Sequence, residues 1–206
     1  MHVADVDALR RDLAAYRSEW EDPTTRAFYI EAALPRILGM LALVPEGGPG
    51  SRLLELGSAP FFTSLCLDLV WPGQLTIANY SGTGAKRGQQ QLASAEGGPD
   101  KLYEFDDFNV ETDEFPYDDG TFDVVVFSEL IEHLAVNPVW ALAEIHRVLK
   151  PGGHVIVTTP NALSLERLAT FLHGGADSEQ RYMPLLGYGA RHNREWRPAE
   201  LRELFE

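Results

Sequence analysis

Cysteine is nearly missing from this chain: Cys66 is the single one in 206 residues. One thiol forms no intrachain disulfide and builds no thiolate zinc cluster, so any metal chemistry must rest on carboxylates and imidazoles. Long apolar runs are missing too. No stretch reaches the ~20 consecutive apolar residues of a membrane helix, and no signal-peptide pattern opens the chain; a cytoplasmic protein without a membrane partner is expected. Basic residues are scarce, 17 against 31 acidic, for a formal net charge of −14. Such a balance repels phosphate backbones, and no basic stripe offsets it, so long nucleic acid is not an expected partner. Length and a 45% apolar fraction fit one globular domain with a sizeable core.

The strongest positive signal lies at 122–133. Val124, Val125 and Val126 have the composition of a buried parallel strand, and the run stops at Ser128. Glu129, Glu132 and His133 follow at once, at i, i+3 and i+4, so a helix or tight turn there places them on one face. Two carboxylates and an imidazole then converge at the carboxyl end of a strand, where open α/β sheets bind ligands. This set suits a hard divalent cation or a general base.

Around this stretch the pattern alternates. Strands are expected at 52–56, 75–79, 101–105, 122–127 and 154–159, and helices at 61–70, 86–95, 130–149 and 164–173. Strands alternating with helices indicate βαβ units. The expected fold is therefore α/β, a Rossmann-like, doubly wound and mostly parallel sheet. Before it, Leu9, Leu13, Tyr16 and Trp20 recur at helical spacing, Asp22-Pro23 breaks the run, and a second helix is expected from residue 24 or 25. A Pro/Gly-rich linker at 44–50 closes this part. We divide the chain into an N-terminal helical flank or lid, 1–50, and a ligand-binding domain, 51–206. No sixth or seventh strand follows the fifth, so the sheet is small or its remaining strands lie outside this sequence.

After Arg52 the chain resembles the class I S-adenosylmethionine-dependent methyltransferases. The resemblance is carried by Glu55, Gly57, Ser58 and Ala59 in a turn after the first strand, by the 115–123 segment, and by the helix and glycine stop at 144–153. Pro60, Phe61 and Phe62 stand where the family has a further glycine. A nicotinamide-binding domain would want three spaced glycines in that turn; this turn has one. The resemblance implies S-adenosyl-L-methionine as cofactor, held by Glu55, Gly57, Ser58 and Ala59. It implies Asn79 at the ribose, Asp107, Phe108 and Asn109 at the adenine, and Ser128 beside the fourth strand.

Glu129, Glu132 and His133, with His192 shortly before the last helix, further resemble the metal-dependent O-methyltransferases, among them the small-RNA 3′-terminal 2′-O-methyltransferases. A bare Glu-His pair after the fourth strand also occurs in members that bind no metal. The fuller pattern implies Glu129, Glu132, His133 and His192 around Mg2+, or Mn2+ or Co2+, with His133 and Glu129 catalytic. The segment from 158 onward also resembles bacterial methyltransferases of saccharide biosynthesis. A metal favours bidentate capture of neighbouring hydroxyls, and the acidity disfavours RNA, so the expected acceptor is a hydroxyl of a sugar or oligosaccharide. Tyr182, Tyr188 and Trp196 are the aromatics expected to stack on it. A small aromatic or polyketide-type alcohol and an RNA 3′ end are the alternative acceptors. An inactive cofactor-binding regulatory subunit is the non-enzyme alternative. A homodimer is the expected assembly.

Overall fold

The computed structural model describes residues 6–17, 26–173 and 192–206. In chain order it runs α1 (Val6–Ala15), β1 (Tyr16–Arg17), α2 (Arg26–Leu43), β2 (Arg52–Leu56), α3 (Phe62–Val70), β3 (Gln74–Asn79), β4 (Arg87–Ser94), β5 (Lys101–Asp107) and β6 (Phe122–Ser128). A 3-10 turn (Ile131–His133), α4 (Pro138–Val148), β7 (Leu149–Thr158), α5 (Leu165–Leu172) and α6 (Pro198–Glu203) follow. The strands form one sheet in the order β1-β4-β5-β3-β2-β6-β7. β5, β3, β2, β6 and β7 are parallel to their neighbours in that run, whereas β4 pairs antiparallel with β5 and β1 antiparallel with β4.

Alternation along the central strands divides the core in two. Leu53, Val124 and Val126 face a cluster that includes Leu65 and Leu67 of α3, while Leu54, Leu56, Val125 and Phe127 face one that includes Ala141, Ile145 and Val148 of α4. All of these are buried, each contributing roughly 1.5–3 kcal/mol of transfer free energy for a large aliphatic side chain. The N-terminal helices share the first cluster: Leu9 and Leu13 of α1 and Ile30, Leu34, Ile37 and Leu41 of α2 belong to it. The flank is thus packed onto the sheet rather than tethered beside it. Cys66 is fully buried there, as its apolar helix predicts. Among the described residues no helix is long and apolar enough to cross a membrane.

Four expectations change. The helix expected at 86–95 is the strand β4, whose burial alternates so that Gln90 and Leu92 point inward. Gly88 disfavours a helix by ~1 kcal/mol, and a Cβ there would sit 2.1 Å from the Phe105 ring across the hairpin. The helix expected at 130–149 is interrupted. Asn137 caps a new helix, its Oδ1 accepting from the N–H of Val139 at 3.1 Å and of Trp140 at 3.3 Å, and Pro138 fills the first turn. The first helix stops at Ala15, and Tyr16 and Arg17 pair with Ala93 and Ser94 instead; Trp20 and residues 22–25 lie outside the described residues. Finally, β7 starts at Leu149, with Pro151, Gly152 and Gly153 inside a register shift between Phe122 and Val124 of its partner strand.

The chain leaves β2 for β3 on one side of it and returns through β6 on the other, so the strand order reverses between β2 and β6. Ligands of open α/β sheets bind at such a crevice, outside the carboxyl ends of the strands. Leu56 pairs with Phe127 in this register, which sets the Gly57 turn beside Ser128 and Glu129.

Candidate active site

A cavity of about 300 Å³ opens at that reversal. Its walls bring together Gly57, Ser58 and Ala59 after β2, Ser128, Glu129, Glu132 and His133 after β6, Pro160 after β7, and His192 before α6. Ala33, Arg36 and Ile37 of α2 close it from the N-terminal side.

Gly57 has φ 74°, the left-handed region that favours glycine, and its N–H donates to Ala78 O at 3.0 Å. A Cβ here would stand 2.7 Å from Leu130 Cδ2. Glycine thus serves close packing of the turn on the Glu129–His133 segment as well as approach to a ligand. Gly57→Ala should destabilise the fold by about 2–4 kcal/mol, from the strained φ and the overpacked Leu130. Thermal denaturation with and without S-adenosylhomocysteine checks this: both the melting temperature and its ligand-induced rise should fall. An unchanged rise would remove the turn from the binding site.

Phe61, one of the three residues that stand where the family has a further glycine, also has positive φ (72°). Its ring is fully buried, 6.1 Å from Tyr103 and 6.0 Å from Phe105, and that burial offsets the backbone strain. Ser58 is 3% exposed, and its Oγ has no hydrogen-bond partner. A buried, unsatisfied hydroxyl on a cavity wall is suited to a polar ligand. Glu55 does not line the cavity. It shares the Leu53 face of β2, accepts from Ser64 Oγ at 2.6 Å, and burial pushes its carboxyl up to about 8 against the effect of that bond.

Glu132, His133 and His192 form the only group of metal-ligand type among the described residues whose donor atoms all lie within 4.8 Å of one another. They stand on a 3-10 turn and on a loop 60 residues away. Asn193 joins the two: its N–H donates to Glu132 O at 2.7 Å, and its Nδ2 to His133 O at 2.6 Å. The His133 and His192 rings meet edge to face, centroids 4.9 Å apart. Glu132 is 1% exposed; Oε2 accepts from Thr159 Oγ1 at 3.0 Å while Oε1 has no hydrogen-bond partner. Burial chiefly, with the Glu129 charge adding, pushes this carboxyl up to about 7; Thr159 and Arg36 oppose the rise. A buried carboxylate with one orphaned oxygen, grouped with two imidazoles whose donor atoms lie within 4.8 Å, fits a divalent cation with a mixed oxygen–nitrogen shell.

The fourth expected ligand stands outside this group though on the same cavity. Glu129 lines the cavity with φ 51°, but it is not in the three-residue group, and its Oε2 accepts from Arg36 Nη1 at 2.8 Å. Ser128 Oγ shares a hydrogen bond of 2.6 Å with Thr158 Oγ1.

The residues expected at ribose and adenine lie at the adjoining strand ends, outside the lining of this cavity. Asn79 and Asp107 are register partners, and Asn79 O accepts from the Phe108 N–H at 3.1 Å. Asp107 accepts from the backbone N–H of Ser81 at 2.9 Å and from its hydroxyl. Phe108 is buried against Phe115, centroids 4.8 Å apart. Asn109 Oδ1 accepts from the Glu111 N–H at 2.9 Å, building a local turn. The side chains of Asp107, Phe108 and Asn109 are thus engaged with the protein's own core and loops, whereas the contact of Asn79 is made by its backbone carbonyl. Tyr182 and Tyr188 lie outside the described residues, and Trp196 is buried beneath Arg194, whose guanidinium stands 4.1 Å from its ring. Trp196 therefore does not offer a sugar-stacking face.

Sequence reasoning passed over Arg36, Thr159 and Pro160. Arg36 did leave a signal: it is the charged member of the Ala33, Ile37, Met40 stripe of α2, whose other three residues are buried.

A model described as a methyltransferase domain matches residues 54–157, half of the chain. The chain is 40% identical over 93 residues to a probable S-adenosylmethionine-dependent methyltransferase of Mycolicibacterium smegmatis, covering 45% of this chain and 30% of that protein. It is 30% identical over 147 residues to the glycine/sarcosine/dimethylglycine N-methyltransferase of Actinopolyspora halophila, covering 71% of this chain and 24% of that protein. The chain thus spans less than a third of the length of these curated relatives. Among solved structures, an S-adenosylmethionine-dependent methyltransferase of Thermotoga maritima superposes with a TM-score of 0.57 at 20% identity, over 88% of this chain and 73% of that one. Family model, fold and cavity position agree, and the chain belongs to the class I S-adenosylmethionine-dependent methyltransferases.

Proposed function

We propose that this chain is a divalent-metal-assisted O-methyltransferase acting on a hydroxyl of a sugar or oligosaccharide. The observation that carries the reading is the convergence of Glu132, His133 and His192 on the cavity that also holds the Gly57–Ala59 turn. S-adenosylmethionine, the family's methyl donor, supplies a methyl group on a sulfonium centre. A divalent cation supplies Lewis acidity that lowers the pKa of an alcohol near neutral pH. In this reading Ser58 Oγ and the Gly57–Ala59 backbone bind the cofactor's amino-acid end, with Asn79 and Asp107 at the nucleoside end. Glu132, His133 and His192 would hold the ion, with Glu129 as its fourth ligand. The acceptor's proton would pass to the second oxygen of Glu129, since a neutral His133 that gives one ring nitrogen to the ion carries N–H on the other and has no lone pair free for it. Ala33 and Ile37 exclude water from the N-terminal side.

Four protein ligands would leave about two positions on an ion that prefers six, enough for two adjacent hydroxyls. One acceptor oxygen would then be the nucleophile and its neighbour would fix direction. Removing the neighbour should lower kcat as well as kcat/KM, because the lost interaction orients the reacting atom. A saccharide with a free vicinal diol, compared with its monodeoxy analogue at saturating cofactor, tests this; equal kcat values would refute bidentate capture.

A second reading has one specific support. The relative from Actinopolyspora halophila is an N-methyltransferase of glycine, sarcosine and dimethylglycine, which favours an amine acceptor. An amine needs no metal to lose its proton, so glycine-type acceptors methylated equally well in chelator would select that reading.

A further inference from the structure

The three-residue metal group is assembled, and the carboxylate expected to complete it is occupied. Arg36 Nη1 donates to Glu129 Oε2 at 2.8 Å, linking α2 to the residue that follows β6. The Glu129 side chain is only 17% exposed, so the guanidinium meets it at the cavity wall rather than in open solvent; the Arg36 side chain is 42% exposed. Glu129 also carries the left-handed φ of 51°, a conformation few non-glycine residues adopt, so the turn that aims it is determined by its surroundings. Those surroundings are the Glu129 N–H donating to Thr158 O at 2.8 Å and the 3-10 turn next to it.

Two cations would therefore compete for one carboxylate: the guanidinium from the N-terminal flank that holds it here and the divalent ion of the proposed function. A partly exposed ion pair is weak, whereas a bound divalent ion is the largest local charge in its site. We propose that Arg36 is a positioning residue that holds Glu129 in reserve, and that ion entry transfers this carboxylate from the guanidinium to the ion. The inference rests on the metal reading above. One consequence is that α2 is held to the site by Arg36 when the ion is absent and loses that tie when it is present. The wall formed by Ala33, Arg36 and Ile37 then responds to metal occupancy.

The test is Mn2+ affinity, measured by electron paramagnetic resonance on the whole chain without cofactor or acceptor. Arg36→Met removes the competing cation and should tighten Mn2+ binding about five-fold, the equivalent of one weak ion pair. Glu129→Gln should weaken it. In the Glu129→Gln background, Arg36→Met should then change nothing, because there is no carboxylate left to compete for. That arm separates competition from simple repulsion, since repulsion by Arg36 would persist without Glu129. Arg36→Lys keeps a cation at the position and should stay within two-fold of the wild type. Unchanged or weaker binding in Arg36→Met, or tightening that persists in the Glu129→Gln background, overturns the exchange while leaving the metal site standing. A wild-type protein whose Mn2+ binding is absent or is untouched by Glu132→Gln and His192→Ala overturns the metal reading itself, and this inference with it.

Discussion

Exhaustive chelation should lower turnover by on the order of 10²–10³-fold, and Mg2+ or Mn2+ should restore it. A cation that polarises the reacting oxygen contributes several kcal/mol to the barrier, at tenfold in rate per ~1.36 kcal/mol. His192→Ala should reproduce much of the loss at limiting metal, although His192 lies 59 residues after His133 in sequence. Its ring meets that of His133, and loss of even an outer-shell partner costs a metal site roughly 10–100-fold in affinity. A metal titration of activity separates the two variants of the outcome: a right-shifted curve that reaches the wild-type plateau marks His192 as a ligand. Turnover that survives chelation in full would return Glu132 and His133 to a structural role.

The centre of the fold was legible because its physics is local. The run Val124–Phe127 has the composition of a strand buried on both faces, and it is one; that Glu55 shares the Leu53 face of β2, away from the cavity, follows from a period of two. The hairpin was not. Gln89, Gln90 and Gln91 are residues of high helix propensity, and it is their antiparallel pairing with Glu104, Tyr103 and Leu102 of β5, with Tyr16 paired to Ser94 beyond, that makes them a strand. The cluster of Glu132, His133 and His192 was legible as spacing plus a distant histidine. Its geometry was not a helical face: a 3-10 turn and a left-handed Glu129 divide the two glutamates, so they point to different partners. Arg36, which takes Glu129, comes from a helix 93 residues earlier, and no pattern in the sequence couples the two. Pairing of charges between elements distant in sequence is a tertiary event, readable only once α2 is packed against α3 and β7.

Glu55→Gln should stabilise the protein at pH 8 by on the order of 3–5 kcal/mol relative to wild type and have little effect at pH 4.5. Burial raises the Glu55 carboxyl from its ordinary 4.5 to about 8, with the Ser64 hydroxyl opposing. Between those two values the unfolded chain has released a proton that the folded chain still holds. The folded state therefore binds more protons in this window, and wild-type stability falls as pH rises through it, by about 1.4 kcal/mol per pH unit at most. Glu132, raised to about 7, adds a loss of the same sign between pH 4.5 and 7. Asp123 and Glu144 act oppositely. Lys150 donating to Asp123 and Arg147 donating to Glu144 hold their carboxyls below the ordinary range, so their contribution is complete above that range and is lost in acid. Maximum stability should thus sit in mild acid, near the ordinary carboxyl range, rather than at neutrality. An amide at position 55 still accepts from Ser64 and never ionises, so the glutamine variant should lose most of the decline between pH 5 and 8. Urea denaturation midpoints of both forms at pH 5, 6, 7 and 8 measure this directly. Parallel curves would mean that Glu55 does not titrate in that window, and that the buried end of β2 reaches solvent more readily than its 2% exposure allows.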